Sequence, residues 1–360
     1  MASGRGLYMK LRKTKDFQQR QQADNSTYVS SERELGWRKL ISCKRPPHQG
    51  PQMANKKRQD PIFISLLILI VVLFVLTLIS SAITQAGGSV NGGPLTPANR
   101  TTTITELSPA SWTFAIWGPI YIWQASWMLY VIICIFRRND NGPVYRNPPV
   151  LNYVFLFVYA INLAISIGWL FAFAADAQIW SFVCLVGLQV TLYIVLVSYY
   201  ISIKEYCKEL AVINRWDLLL YRVLIQNGIA IYAAWCTVAT LVGFTIILVT
   251  ISDMTQEGAC CFSLSILSLE LIVFFIFDVT VFDRYTRYTC TTYPTFIWAL
   301  VGILSRNFQS DRPHMIFALS LLCITSVMCL VKLIVAIRRR KSDPLDYDVP
   351  EKRSLNAPAL

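Results

Sequence analysis

Four tryptophans fall within sixteen positions of the stretch 108–130, SPASWTFAIWGPIYIWQASWMLY, and their spacing points to ligand chemistry. Trp123 and Trp127 lie four positions apart and share one helix face, while Trp117 and Tyr121 share another. Aromatic rings offer flat apolar walls. The pattern is therefore typical of a pocket for a flat apolar ligand or a sterol, or of close packing between helices.

An aromatic belt at the membrane interface is the simplest alternative, but it accounts only for Trp112, which lies near one end of this stretch. The other three tryptophans run through its depth. Pro119 removes one backbone hydrogen bond, so we expect a kink beside the aromatic residues. A cavity beside that kink and plain packing both remain open.

Two further apolar stretches carry polar or small residues of interest. Ala160, Ala164, Gly168 and Ala172 recur at a spacing of four, a pattern that lets another helix backbone, or a second copy of the chain, approach closely. Asn162 lies off that face, and an amide in hydrocarbon needs a partner from another helix or a ligand.

Two acids, Glu270 and Asp278, interrupt the apolar run SLELIVFFIFDVTVF. An acid inside a membrane costs about 2.5–3.5 kcal/mol on insertion scales, so it usually has a partner or a function. Asp278 lies near the end of the run, where Arg284 or Arg287 could pair with it. Glu270 lies deeper and, with Arg222 and buried amides, could line the polar path of a secondary transporter or channel.

The elements that position these residues must be membrane helices. Hydrophobic residues make up 54% of the chain, charged residues 15%, and the mean hydropathy is +0.46, which excludes an ordinary soluble protein. Apolar blocks reach the roughly 20 residues that a spanning helix needs. They predict an all-α polytopic fold with eight spans, at 62–84, 112–136, 150–174, 179–203, 223–250, 263–282, 286–305 and 314–337.

Loop charges predict the orientation of these spans. Fourteen of the 33 Lys and Arg residues lie in 1–60, and basic loops alternate with loops that carry few basic residues. The positive-inside rule therefore places both termini in the cytosol, in a plasma membrane or endomembrane protein whose basic flanks contact lipid and not nucleic acid. We divide the chain into a disordered basic tail at 1–60, a five-helix region at 61–251, three additional spans at 252–337 and a basic tail at 338–360.

Asn99-Arg100-Thr101 is a glycosylation sequon in a loop predicted to lie outside, whereas the sequon at Asn25 is predicted to be cytosolic and unused. The sequence has no nucleotide-binding or hydrolase motif, and its two histidines and ten cysteines lack metal-ligand spacing. We therefore expect neither catalysis nor a metal or cofactor.

Residues 62–250 resemble the TspO/translocator protein (tryptophan-rich sensory protein) family, and specifically its longer animal relatives with extra helices. The resemblance is carried by a Trp-x-Phe pair, a Trp-x-x-x-Tyr pair, a Tyr-x-x-Trp element with alanine four residues on, and a looser Asn-then-Trp element. In this chain they are Trp112 and Phe114, Trp117 and Tyr121, Tyr232, Trp235 and Ala239, and Asn162 and Trp169.

This resemblance implies a five-helix bundle around a pocket for a sterol, a tetrapyrrole such as a porphyrin, or a similar flat molecule, without catalysis. The expected pocket residues are Trp112, Phe114, Trp117, Tyr121, Asn162, Trp169, Asn227, Tyr232 and Trp235. Two alternatives remain: the transporter or channel that uses Glu270 and Arg222, and a structural membrane protein without a ligand.

Overall fold

A computed structural model describes residues 59–85, 105–139 and 142–342. Within these ranges the chain forms ten α-helices, a two-residue hairpin of strands β1 (Arg138–Asn139) and β2 (Gly142–Pro143), and short 3₁₀ and π segments. The helices are α1 Pro61–Gln85, α2 Trp117–Phe136, α3 Tyr153–Ala174, α4 Gln178–Ile213, α5 Arg215–Leu220, α6 Asn227–Thr250, α7 Gln256–Val279, α8 Asp283–Thr286, α9 Thr292–Asn307 and α10 Pro313–Ser342.

Seven helical stretches of the described chain are long and apolar enough to cross a membrane, which confirms the all-α polytopic class. Eight spans were predicted. The difference is the predicted span at 286–305, where the structure has the short helix α8, an irregular turn and the 16-residue helix α9. A helix of 16 residues is only about 24 Å long. Helix α9 begins only at Thr292, at the end of the polar stretch at 289–292, as the weak hydropathy of this segment indicated.

Helix α9 nevertheless runs from one end of the bundle to the other. The Tyr293 hydroxyl in its first turn donates to Asp278 in the last turn of α7 (2.9 Å). The Asn307 amide in its last turn donates to the carbonyl oxygen of Ser108, just before α2 (2.9 Å). We call the end that carries Ser108 the predicted outer end, after the loop-charge prediction, and the other the predicted cytosolic end.

Helix α6 lies at the centre of the bundle. It packs against α2 and α4 on one side and α7 and α9 on the other, while α3 joins α4 to α1, and α10 covers α7 and α9. Almost every residue from Asn227 to Leu241 is buried. Because α6 contacts helices on both sides of the predicted boundary at 251, the described helices belong to one compact unit.

The start of α2 differs from the expected kinked helix. Residues Ser111–Ile116 form a 3₁₀ helix, and the α-helix begins at Trp117. Pro119 therefore lies in the first helical turn, where its missing N–H group costs little. The proline marks a change of helix type and not a kink within one α-helix.

Helix α4 is also longer than the predicted span 179–203, since it continues to Ile213 for 36 residues. Its polar extension keeps Cys207 and Leu210 buried against the bundle, so the helix is stabilised beyond the apolar block. Helix α10 likewise continues to Ser342 and includes the first residues of the predicted basic tail. The N-terminal tail up to residue 58, both sequons and residues 343–360 lie outside the described residues.

Candidate functional site

An aromatic cluster surrounds Trp117, the first residue of α2. Its ring stacks on Tyr121 one turn later (centroids 5.4 Å apart) and on Trp169 of α3 (5.8 Å). Two residues of α6 meet it edge-on, Tyr232 at 5.9 Å and Trp235 at 6.4 Å. Three helices thus bring five of the predicted pocket residues together around one indole ring.

A cavity of about 170 Å³ opens beside this cluster, between the 3₁₀ segment and helices α3, α4 and α6. Its walls are mainly aromatic and aliphatic, and its polar residues come from helix ends at the predicted outer end. The aromatic wall consists of Phe114, Trp117, Trp169, Phe173, Phe182 and Trp235, and the polar residues are Ser108, Asp176, Gln178, Ser181 and Arg306.

Four predicted pocket residues therefore line the cavity: Phe114, Trp117, Trp169 and Trp235. Tyr121 and Tyr232 support Trp117 from behind. Trp112 faces elsewhere and packs edge-on against Trp298 of α9, with ring centroids 4.9 Å apart.

The two predicted asparagines bind other helices in this structure. The Asn162 amide donates to the Leu188 carbonyl (3.1 Å) and to the Thr191 hydroxyl (2.8 Å), which ties α3 to α4. Asn227 donates to the carbonyl of Tyr288 (2.9 Å) and accepts from the backbone N–H of Cys290 (2.8 Å). Their amides join elements, and neither residue lines the cavity.

One polar group in the cavity wall lacks a partner. Trp169 is 9% exposed, and among the described residues no acceptor lies within hydrogen-bonding distance of its indole nitrogen. A buried N–H group without an acceptor costs about 1–3 kcal/mol. The buried indole N–H of Trp169 thus forms no hydrogen bond with the described residues.

The two residues named for a transporter, Arg222 and Glu270, have different surroundings in the structure. Arg222 lies in the π-helical segment Tyr221–Gln226 with its guanidinium 3.9 Å from the Tyr288 ring centroid. Glu270 lies midway along α7, forms no ion pair among the described residues, and has one carboxylate oxygen buried without a hydrogen bond.

Asp278 pairs with a residue that the sequence analysis did not consider. The Nζ atom of Lys332 lies 2.7 Å from Oδ1 of Asp278, and the Tyr293 hydroxyl donates to Oδ2. The expected pairing of Asp278 with Arg284 or Arg287 is wrong, because its carboxylate binds Lys332 and Tyr293. Arg287 binds Asp283 at 2.5 Å. The sequence did contain a signal for this pair, because Lys332 lies inside the apolar block of the last span. A charge in such a block needs a buried partner.

A second feature that the sequence analysis left unassigned is Gln124, which joins three helices behind the aromatic cluster. Its amide donates to the carbonyl of Gly228 (2.7 Å), and its oxygen accepts from Trp127 (2.7 Å) and Tyr159 (3.1 Å). The residue was visible in the sequence, but its partners depend on how α2, α3 and α6 pack.

Comparison with protein families gives one match. A family model described as TSPO-like protein matches residues 66–337, from the first turns of α1 to the last span. The match extends past the range 62–250 that carries the sequence motifs, and it covers every residue that lines the cavity. No curated protein and no solved structure matches the chain.

Proposed function

Because this chain belongs to the TSPO-like protein family, we propose that it is a non-enzymatic integral membrane protein that binds a flat hydrophobic molecule in the aromatic cavity. The ligand class we favour is a molecule with fused rings, such as a sterol or a tetrapyrrole. Aromatic walls from α2, α3 and α6 would contact its faces, and the open end would admit it from the predicted outer end.

The observation that carries this proposal is the convergence of Phe114, Trp117, Trp169 and Trp235 on the walls of one cavity. The space between these rings and the aliphatic side chains of α4 and α6 would accept a flat ring system. Stacking on Trp117 and Trp169 would add the contact area that a flat ligand needs.

Energy transfer from tryptophan to pyrene tests the proposal. The full chain in phosphatidylcholine nanodiscs would be titrated with pyrenebutanol, with empty nanodiscs correcting for lipid partition. We expect saturable transfer, and we expect Trp117→Leu and Trp235→Leu each to weaken binding by about 1 kcal/mol, roughly fivefold.

Trp216→Leu is the matched control, because Trp216 is 73% exposed and does not line the cavity. It removes one donor tryptophan without changing the cavity wall, so affinity should stay as in the wild type. Transfer that never saturates above the empty nanodiscs, or equal affinity in all three variants, would refute the proposed binding function.

A further inference from the structure

Arg306 places a positive charge at the open end of the cavity. It lies in the last turn of α9, is exposed, and is one of the residues that line the cavity. Its Nη1 atom donates to the carbonyl oxygen of Pro109 at 3.3 Å. Among the described residues no carboxylate pairs with it, so most of its five N–H donors remain available for a ligand.

Two acids on neighbouring segments, Glu106 and Asp176, have interactions of their own. Glu106 pairs with Arg312 (3.0 Å), and its other oxygen lies 2.6 Å from Nε2 of His314, within ion-pair distance when that imidazole is protonated. Asp176, the acid among the lining residues, makes an interaction of its own. Among the described residues the open end therefore carries a guanidinium that forms no ion pair, beside an apolar wall.

The fold fixes the position of the helical turn that carries Arg306. The backbone N–H of Ala110 donates to the Gly302 carbonyl (3.0 Å), and the indole of Trp298 donates to the Thr113 carbonyl (2.9 Å). Both bonds fasten α9 along the segment that leads into α2 and forms part of the cavity rim. Arg306 lies one turn after Gly302, so these two hydrogen bonds keep its part of α9 beside the rim.

We propose that the cavity selects ligands in which a flat ring system carries an anionic head, above all a carboxylate, and that Arg306 is the residue that recognises this head. The inference rests on the binding function proposed above and narrows its ligand class. A guanidinium matches a carboxylate with two parallel hydrogen bonds.

Two probes with the same ring system test the selection. Pyrenebutyric acid and pyrenebutanol would be titrated near neutral pH into the full chain in phosphatidylcholine nanodiscs, each corrected for partition into empty nanodiscs. We expect the acid to bind about tenfold more tightly than the alcohol, a difference of about 1.4 kcal/mol. In Arg306→Gln the ratio should approach one, with the affinity for the alcohol unchanged.

Two further variants separate charge from structure. Arg306→Lys keeps the positive charge but cannot form two parallel hydrogen bonds, so it should retain only part of the preference. Arg138→Gln removes the same charge from an exposed position at the opposite end of α2 and should leave the ratio as in the wild type. The preference should also shrink as salt rises, because Arg306 is exposed.

The outcomes distinguish this inference from the proposal on which it rests. If neither probe binds saturably, the binding function itself fails. If both bind equally well, or if the preference for the acid survives in Arg306→Gln, the selection by Arg306 is refuted while binding in the cavity stands.

Discussion

Gly302 shows how one residue sets the distance between two elements at the cavity rim. A Cβ atom at this position would lie 2.1 Å from the hydroxyl oxygen of Thr113, and two more Thr113 atoms would lie within 2.9 Å. Thr113 is fully buried, so its side chain has little room to turn away. Only glycine permits the close approach of α9 to the segment before α2.

We therefore expect Gly302→Ala to destabilise the protein by about 1–3 kcal/mol through overpacking. The measurement is the thermal unfolding midpoint of the purified protein, followed by tryptophan fluorescence. Gly118→Ala is the matched control, since a Cβ there would meet no atom within 4 Å. A midpoint for Gly302→Ala as high as that of Gly118→Ala would contradict the packing argument.

Glu270 decides between the binding protein and the transporter. Because its carboxylate has no ion-pair partner among the described residues and does not line the cavity, we expect Glu270→Gln to leave pyrenebutanol affinity unchanged. Glu257→Gln, in the first turn of the same helix, controls for a charge change outside the apolar block. Gradient-driven flux in proteoliposomes that disappears only in Glu270→Gln would instead support transport.

The sequence predicted the aromatic wall better than it predicted the roles of the amides. Trp117, Trp169 and Trp235 are three of the residues that the family resemblance named for the pocket, and the latter two contact Trp117 where α2, α3 and α6 meet. Asn162 carries a side chain that binds whichever backbone lies beside it, and its partner at Leu188 comes from the helix register. The alignment of one helix along another cannot be predicted from the residue spacing within a single segment.

At the level of elements, Asp60 anchors the start of α1. One carboxylate oxygen accepts from the backbone N–H groups of Ile62 (3.1 Å) and Phe63 (3.3 Å), and the other accepts from the Tyr153 hydroxyl of α3. Burial alone would raise the pKa of Asp60, but these hydrogen bonds and nearby Arg146 lower it. The ionised side chain thus caps α1 and joins it to α3.

Asp60→Ala should lower stability by about 1 kcal/mol, the usual cost of a lost N-terminal cap. Asp60→Asn, which can still accept from the backbone, should lose less. Since the folded pKa lies below the ordinary aspartate value, this contribution is present above that value and disappears as pH falls through the folded pKa. Unfolding midpoints of the three proteins at neutral and acidic pH check both statements, and a difference that grows on acidification would contradict them.

Element ends were the least predictable part of the fold. The extension of α4 to Ile213 depends on burial of Cys207 and Leu210, and the 3₁₀ turn at Ser111–Ile116 depends on contacts with α9. Hydropathy predicts the apolar part of each helix, and the spans were placed on that basis. It does not predict how far a polar extension continues, because that depends on contacts with neighbouring helices.

Across the whole molecule, the Asp278–Lys332 pair ties α7 to α10 at the predicted cytosolic end. Both side chains are buried, and removing one partner would leave an uncompensated charge. We expect Lys332→Met alone to cost about 3–5 kcal/mol and the double variant Asp278→Leu, Lys332→Met to cost less. Thermal unfolding of the two variants measures the difference.

Lys204→Met is the control for loss of a lysine, because Lys204 is exposed and its amine bonds the Tyr285 hydroxyl (2.6 Å). It should change the unfolding midpoint far less than Lys332→Met. A double variant that loses as much stability as the two single variants Asp278→Leu and Lys332→Met together would show that the pair does not act as a unit.

The bonds between α9 and the rim also have a consequence for biosynthesis. The two sides of the rim are almost 200 residues apart in the chain, as the bond from Asn307 to Ser108 illustrates. When the ribosome has synthesised only the helices up to α7, Trp298 and Asn307 do not yet exist. The carbonyl groups of Thr113 and Ser108 therefore lack these hydrogen-bond donors at that stage. The entrance to the cavity is therefore completed among the last events of membrane insertion, after most of its wall has been synthesised.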